Sequence, residues 1–284
     1  MSFSSRLYLV IIGVLFVLLV VSRYTGKSQE SCSSLLKNAP IQGSEVKAIK
    51  SDITGRSYDL YIHVPDESVA NRKYPVLYVL DGQWDFKLLD SIFGGLNYDG
   101  YVPQLIIVGI TYSGPDPDYD SLRAKDYTPT QDPSVSGSGD APKFLDFLKQ
   151  ELIPFIESKY PADPTRRVLM GSSYGGLFTL YAMFEDPALF SGYVAASPAV
   201  TFGSRFVFTQ EAEYAENHTE LPVKLFLSVG AAESLAYPVQ NFMQTLKDRG
   251  YGGLNMEART IEGERHAGNK PEAFNRGLRF IFQN

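Results

Sequence analysis

Two kinds of apolar stretch divide the chain. From Leu7 to Val21 all 15 residues are apolar, Tyr or Gly, and Arg6 and Arg23 bound the run. Beyond about residue 44 the apolar positions instead fall into short blocks separated by turn residues. Val46–Ile53 and Tyr58–Val64 alternate around Thr54-Gly55-Arg56 and predict a β-hairpin. Tyr74–Leu80 and Leu105–Thr111 are continuous apolar runs, the pattern of parallel strands buried on both faces. Tyr112 to Pro142 is crowded with Pro, Gly, Ser and Asp and reads as a long loop, a kind that is usually functional or disordered. Lys143–Tyr160 has helical spacing through Phe144, Phe147, Leu148, Leu152, Phe155 and Ile156 and stops at Pro161. Strands are then expected at Arg167–Met170, Gly192–Ala196, Lys224–Val229 and Leu254–Ile261. Helices are expected at Gly175–Phe184, Val239–Arg249 and Pro271–Phe282. Strands alternating regularly with helices predict an α/β domain, with a mostly parallel central sheet covered by helices on both faces.

The unbroken run is short of the roughly 20 apolar residues that span a bilayer, and it suits the apolar core of a signal sequence with Arg6 before it. Val20-Val21-Ser22-Arg23 is a poor cleavage site, which favours an uncleaved signal anchor over a cleaved signal peptide. Residues 1–22 are therefore expected to anchor or export the chain, 23–43 to form a polar tether, and 44–284 to form one α/β domain outside the cytoplasm. The tether-free remainder is an ordinary length for one such domain.

Composition narrows the chemistry. With 26 Lys+Arg against 32 Asp+Glu the chain is mildly acidic, which argues against nucleic acid as a partner. The single cysteine, Cys32, excludes an intramolecular disulfide framework and a cysteine zinc site. Only three histidines occur, His63, His218 and His266, so a histidine-rich metal centre is not expected, and no cofactor is implied.

The sharpest motif is Gly171-Ser172-Ser173-Tyr174-Gly175, a G-x-S-x-G sequence with a predicted strand before it and a predicted helix after it. That context is the one in which a strained turn presents a nucleophilic serine, here Ser173. A serine hydroxyl needs a positioned base. His266 follows the last predicted strand in Glu262-Gly263-Glu264-Arg265-His266, whereas His63 lies within a strand and His218 in an acidic, exposed stretch. The base in turn needs a carboxylate, expected between nucleophile and histidine in chain order. Glu233 directly follows the strand Lys224–Val229, and no Asp occurs between Val223 and Gln240. Two backbone N–H groups should face the developing oxyanion. Tyr174, after the nucleophile, and Gln83, in the Asp81-Gly82-Gln83-Trp84 turn after Tyr74–Leu80, are the candidates.

These residues together resemble the α/β-hydrolase superfamily, specifically the esterase family related to esterase D. That family includes enterochelin-type siderophore esterases, feruloyl esterases and mycolyltransferases. The resemblance runs from about Val46 to the carboxyl end and rests on four sequences. They are Tyr74-Pro75-Val76-Leu77-Tyr78-Val79-Leu80-Asp81-Gly82, the elbow, Gly230 through Glu233, and Gly263-Glu264-Arg265-His266. Arg123-Ala124-Lys125-Asp126-Tyr127-Thr128-Pro129 looks like the segment before the variable loop of the siderophore-esterase branch. The resemblance implies an α/β-hydrolase fold without a large cap domain, and a serine esterase acting on small-molecule esters through an acyl-enzyme. An anchored esterase on the periplasmic side of the inner membrane also resembles one type of siderophore trilactone hydrolase. Arg123 and Trp84 are then candidates for substrate binding, with Arg123 and Lys125 supplying positive charge to an anionic catecholate. The plainer role for those cations is ion pairing with Asp120 and Asp126. An acyltransferase on the same scaffold, or a tethered binding protein on an inactive one, are the alternatives.

Overall fold

The computed structural model describes residues 44–65 and 72–283. The expected signal anchor and tether, 1–43, lie outside the described residues. Among those that are described, no helix is long and apolar enough to cross a membrane. Gly43–Asn284 group as one unit.

Eight strands form one sheet in the order β1-β2-β4-β3-β5-β6-β7-β8. The strands are β1 Ser44–Lys50, β2 Ser57–His63, β3 Tyr74–Val79, β4 Ile106–Tyr112, β5 Ala162–Ser172, β6 Gly192–Ala196, β7 Lys224–Gly230 and β8 Asn255–Ile261. β1 and β2 make the expected hairpin, and β2 pairs antiparallel with β4; from there to β8 every pair is parallel. The continuous apolar strands occupy the middle, where β3, β4 and β6 are buried at every position. Two faces must be covered there, so a period-two pattern would strand polar groups.

Two helices, α1 Gly82–Tyr98 and α8 Lys270–Phe282, lie together on one face of the sheet. The other face carries α2 Tyr119–Tyr127, α3 Ala141–Phe147, α4 Ile153–Lys159, α5 Tyr174–Glu185, α6 Phe202–Asn217 and α7 Ala236–Arg249. There Tyr127, Phe144 and Phe178 pack ring on ring, as do Phe184, Phe208 and Phe242. α5 buries ten of its residues, including its whole central stretch, and so runs through the core.

Four features differ from the sequence expectation. α1 and α6 were not anticipated, and α2 lies inside the segment expected to be a loop. The single helix predicted over Lys143–Tyr160 is instead α3 and α4 joined by a π turn, Leu148–Leu152. Pro154 has no N–H for the helical ladder, and its ring crowds the carbonyl one turn back. Between β6 and β7 the structure places only α6, so no cap domain is inserted there.

Candidate active site

Ser173 sits between the end of β5 and the first residue of α5, with φ 60° and ψ −119°. Such a conformation costs a non-glycine residue about 1–3 kcal/mol and survives only where the surroundings impose it. Close packing does so here. A Cβ on Gly171 would come within 2.4 Å of the Gly175 backbone, so strand and helix meet at a distance only glycine permits. Backbone bonds then clamp the serine: its N–H donates to Ala196 O, and Ala199 N–H donates to Ser173 O, each at 3.0 Å. The first helical bond runs from Leu177 N–H to Ser173 O at 2.9 Å, so the Tyr174 N–H lies ahead of it, at the positive end of the helix.

Glu233 and His266 meet at the carboxyl ends of β7 and β8. Gly230 makes this possible, since a Cβ there would lie 2.5 Å from Glu264 O. Ala231 N–H to Ile261 O and Ala232 N–H to Glu264 O, both 2.9 Å, fasten the two loops together. His266 Nδ1 then lies 2.5 Å from Glu233 Oε2. The carboxylate is 4% exposed and the imidazole 44%, so the pair has a dry end and a wet end. An Nδ1–H held by a carboxylate leaves Nε2 as the basic nitrogen. Ser173 Oγ makes no hydrogen bond among the described residues. Neither of the other histidines competes for a role. His63 Nδ1 is 3.2 Å from Asp90, with its ring against Phe93, and His218 stacks on Tyr214.

The remaining wall starts at Asp81, which turns the chain out of β3 with a left-handed backbone, φ 55°. Gly82 follows because a Cβ would lie 2.7 Å from the Gly109 backbone on β4. Trp84 and Asp85 both donate their N–H to Asp81 O, at 2.9 and 3.1 Å. The Gln83 N–H precedes these first bonds of α1, the same situation as Tyr174 in α5. The Gln83 side chain is tied back, its Oε1 accepting from Thr111 Oγ1 at 2.8 Å.

Arg123 is not paired with Asp120 or Asp126. Its Nε and Nη2 make a fork to the two oxygens of Asp81, at 2.9 and 2.7 Å, and Nη2 reaches Ser172 O at 3.5 Å. Its guanidinium lies 5.4 Å from the Trp84 ring and 5.3 Å from the Tyr174 ring. Burial opposes the charge, but the Asp81 hydrogen bonds and attraction outweigh it and raise the Arg123 pKa. Asp126 instead takes Arg56 and the Tyr58 hydroxyl, and Lys125 lies 3.7 Å from Asp140. Trp84, 47% exposed beside Tyr119, is open to a ligand. Behind this wall Lys270 Nζ holds buried Asp85 at 2.8 Å, joining α1 to the start of α8. Burial pushes that carboxyl up to about 6 despite the lysine.

Sequence reasoning missed Ser197 and Asn269. Both are fully buried and hydrogen-bond to Glu233. Neither carries a motif; only the fold brings residues 36 positions either side of Glu233 to its carboxylate. No group of three or more His, Cys, Asp or Glu able to hold a metal ion occurs among the described residues.

Comparison with known proteins agrees with this architecture. A family model described as "Putative esterase" matches residues 51–231. The ferri-bacillibactin esterase BesA of Bacillus subtilis is 27% identical over 268 residues, covering 84% of this chain and 90% of that protein. The siderophore triacetylfusarinine C esterase of Aspergillus fumigatus is 28% identical, covering 68% of this chain and 70% of that one. Among solved structures, an IroE-like serine hydrolase from Shewanella oneidensis superposes with a TM-score of 0.75 at 27% identity, covering 84% of this chain and 80% of that one. The chain belongs to this esterase family and is a serine ester hydrolase on the α/β-hydrolase fold.

Proposed function

We propose that Ser173, His266 and Glu233 hydrolyse ester bonds through an acyl-enzyme, and that the physiological substrate is a siderophore closed by ester linkages. Ser173 Oγ attacks the ester carbonyl as His266 Nε2 takes its proton, and Glu233 holds the imidazole and balances its charge. The N–H groups of Gln83 and Tyr174 receive the oxyanion, each at the free start of a helix. Collapse of the tetrahedral intermediate breaks the bond to the alcohol, which leaves with the proton from Nε2. Water then enters, gives its proton to Nε2 and attacks the Ser173 ester; the bond to Oγ breaks, Nε2 returns the proton to Oγ, and the acid is released. The observation that carries this reading is the 2.5 Å contact of His266 Nδ1 with a buried carboxylate, at the same carboxyl end of the parallel strands as a serine in a strained turn. The serine–histidine hydrogen bond is expected to close when substrate is bound, as is common at such sites.

The siderophore assignment draws on the relatives' own names, on the lack of a cap domain between β6 and β7, and on the exposed Trp84 ring. The apolar run Leu7–Val21 supports an anchor that holds the enzyme on the periplasmic side of the inner membrane. The deciding experiment compares wild type with Ser173→Ala on p-nitrophenyl butyrate and on a catecholate trilactone. The variant should lose both activities and its labelling by a fluorophosphonate. Undiminished hydrolysis would overturn the serine mechanism, and a wild type that cleaves only the simple ester would overturn the siderophore assignment.

A further inference from the structure

The segment after β6, Ala196 to Ala199, touches two parts of the site at once. Its backbone brackets the elbow from both sides, through Ala196 O and Ala199 N–H. Its hydroxyl reaches the other way, Ser197 Oγ donating to Glu233 Oε1 at 2.5 Å. Ser197 has a left-handed backbone, φ 43°, and its own N–H donates to Ser228 O at 2.7 Å. A buried serine held in that conformation, with its hydroxyl on a carboxylate, is fixed in direction by its surroundings.

Asn269 closes the arrangement from the start of α8. Its Nδ2 donates to Ser197 Oγ at 2.7 Å and to His266 O at 2.8 Å, with longer bonds to Arg265 O at 3.3 Å and Glu233 Oε1 at 3.4 Å. Two of those partners are carbonyls and one is a carboxylate, so the NH₂ and not the oxygen must face them. The Gly230 N–H adds a bond of 2.7 Å to the same Oε1. Three donors therefore hold Oε1, and Oε2 faces His266. The terminal torsion of a glutamate is otherwise broad, and nothing in a free carboxylate distinguishes its two oxygens.

We propose that Ser197 and Asn269 are positioning residues that register the nucleophile, the acid and the histidine against one another. They act through Glu233 and the His266 carbonyl, not on the substrate. The proposal rests on the Ser173–His266–Glu233 reading. The elbow, the acid loop and the histidine loop come from three separate strand ends; the 196–199 backbone holds the elbow, and these two side chains tie that segment to the acid and histidine loops. Without the Ser197 hydroxyl, Oε1 loses the shortest of its three donors, and the carboxylate can rotate away from Nδ1. Without Asn269, the His266 carbonyl loses its side-chain tie to Ser197 and Glu233.

The test compares Ser197→Ala, Asn269→Ala and Glu233→Gln in the full chain. It measures kcat and KM on a p-nitrophenyl ester across the acidic and neutral range, per active site titrated with a fluorophosphonate. In the two positioning variants kcat should fall about 10- to 100-fold with KM unchanged, the scale of a small misplacement of reacting groups. The acidic limb of kcat/KM, which reports the free enzyme's base, should move to lower pH. Glu233→Gln should move it the same way, because it removes the carboxylate charge beside the imidazolium, which the positioning variants let turn away. A limb that stays at its wild-type position in Ser197→Ala and Asn269→Ala, but shifts in Glu233→Gln, overturns the positioning role. An undiminished rate and an unshifted limb in Glu233→Gln overturn the triad, and this role with it. If Asn269→Ala does not fold, Ser197→Ala, which removes one hydroxyl, decides alone.

Discussion

Arg123→Met tests how the wall opposite the histidine is held. The substitution keeps an apolar side chain of similar reach and removes the fork of 2.9 and 2.7 Å to Asp81. Asp81 is 1% exposed and Arg123 12%, so water cannot replace the lost cation. Breaking a buried pair from one side strands the other charge and costs about 3–5 kcal/mol. Loss of cation–π contacts with Trp84 and Tyr174 adds about 0.5–1 kcal/mol, and the retained apolar packing offsets part of it. Arg123→Met should therefore lose about 3 kcal/mol or more of stability. Asp81→Asn in the same chain removes the stranded charge, so the double variant should lie at least about 2 kcal/mol above the sum of the singles. Urea unfolding of the four proteins at neutral pH, followed by circular dichroism, gives these numbers. Asp81 also sets the turn before Gln83, so kcat of Arg123→Met should fall by up to about 10²-fold, the scale of a lost oxyanion donor. A single variant within about 1 kcal/mol of wild type, or strict additivity in the double, would refute the reasoning.

Three further outcomes are expected. Gly230→Ala places a Cβ 2.5 Å from Glu264 O and must push the histidine loop away; kcat should drop at least about tenfold, and stability by about 1–3 kcal/mol, and an unaltered kcat would mean that the loops yield without disturbing His266. Asp85 keeps its proton up to about 6, above its ordinary 3.8. Its stabilising contribution is present below about pH 4 and disappears as pH rises through 6, about 3 kcal/mol in all; Asp85→Asn should therefore gain that much relative to wild type over this interval in urea titrations, and a constant difference would count against it. Trp84→Ala removes a ring that is 47% exposed, so stability should change by less than about 1 kcal/mol while KM for an aromatic siderophore rises by up to about tenfold; an unchanged KM would remove Trp84 from the binding surface.

The three proposed catalytic residues were legible because each follows a predicted strand, the buried ends of β5 and β7 before Ser173 and Glu233 and the mostly half-exposed β8 before His266. Ser173, Glu233 and His266 occupy the ends of β5, β7 and β8, and side-chain type did the rest. The helices were less legible. α1 carries Gly94-Gly95 in its interior, and α6 begins with a left-handed turn at Gly203, Ser204 and Arg205, which breaks the helical spacing. α2 lies among Pro, Gly and Asp residues whose local preference is for turns; packing against α3 and α5 decides its conformation. Arg123 shows the limit most clearly. Asp120 and Asp126 are its near neighbours in sequence, whereas the fold supplies a carboxylate 42 residues away.

The strand order has a consequence for how the enzyme fails. The elbow hangs from β5, flanked by β3 and β6, whereas the histidine hangs from β8, the last strand, bonded on one side only. A strand at a sheet's margin opens at lower free energy than one at its centre. Local fraying of β8 and the loop after it would carry His266 away from Glu233 while the elbow and the aromatic core stayed intact. Mild heating should thus extinguish turnover before the bulk of the molecule melts. The lost activity should return on cooling without refolding of the domain, and amide exchange in β8 should track it.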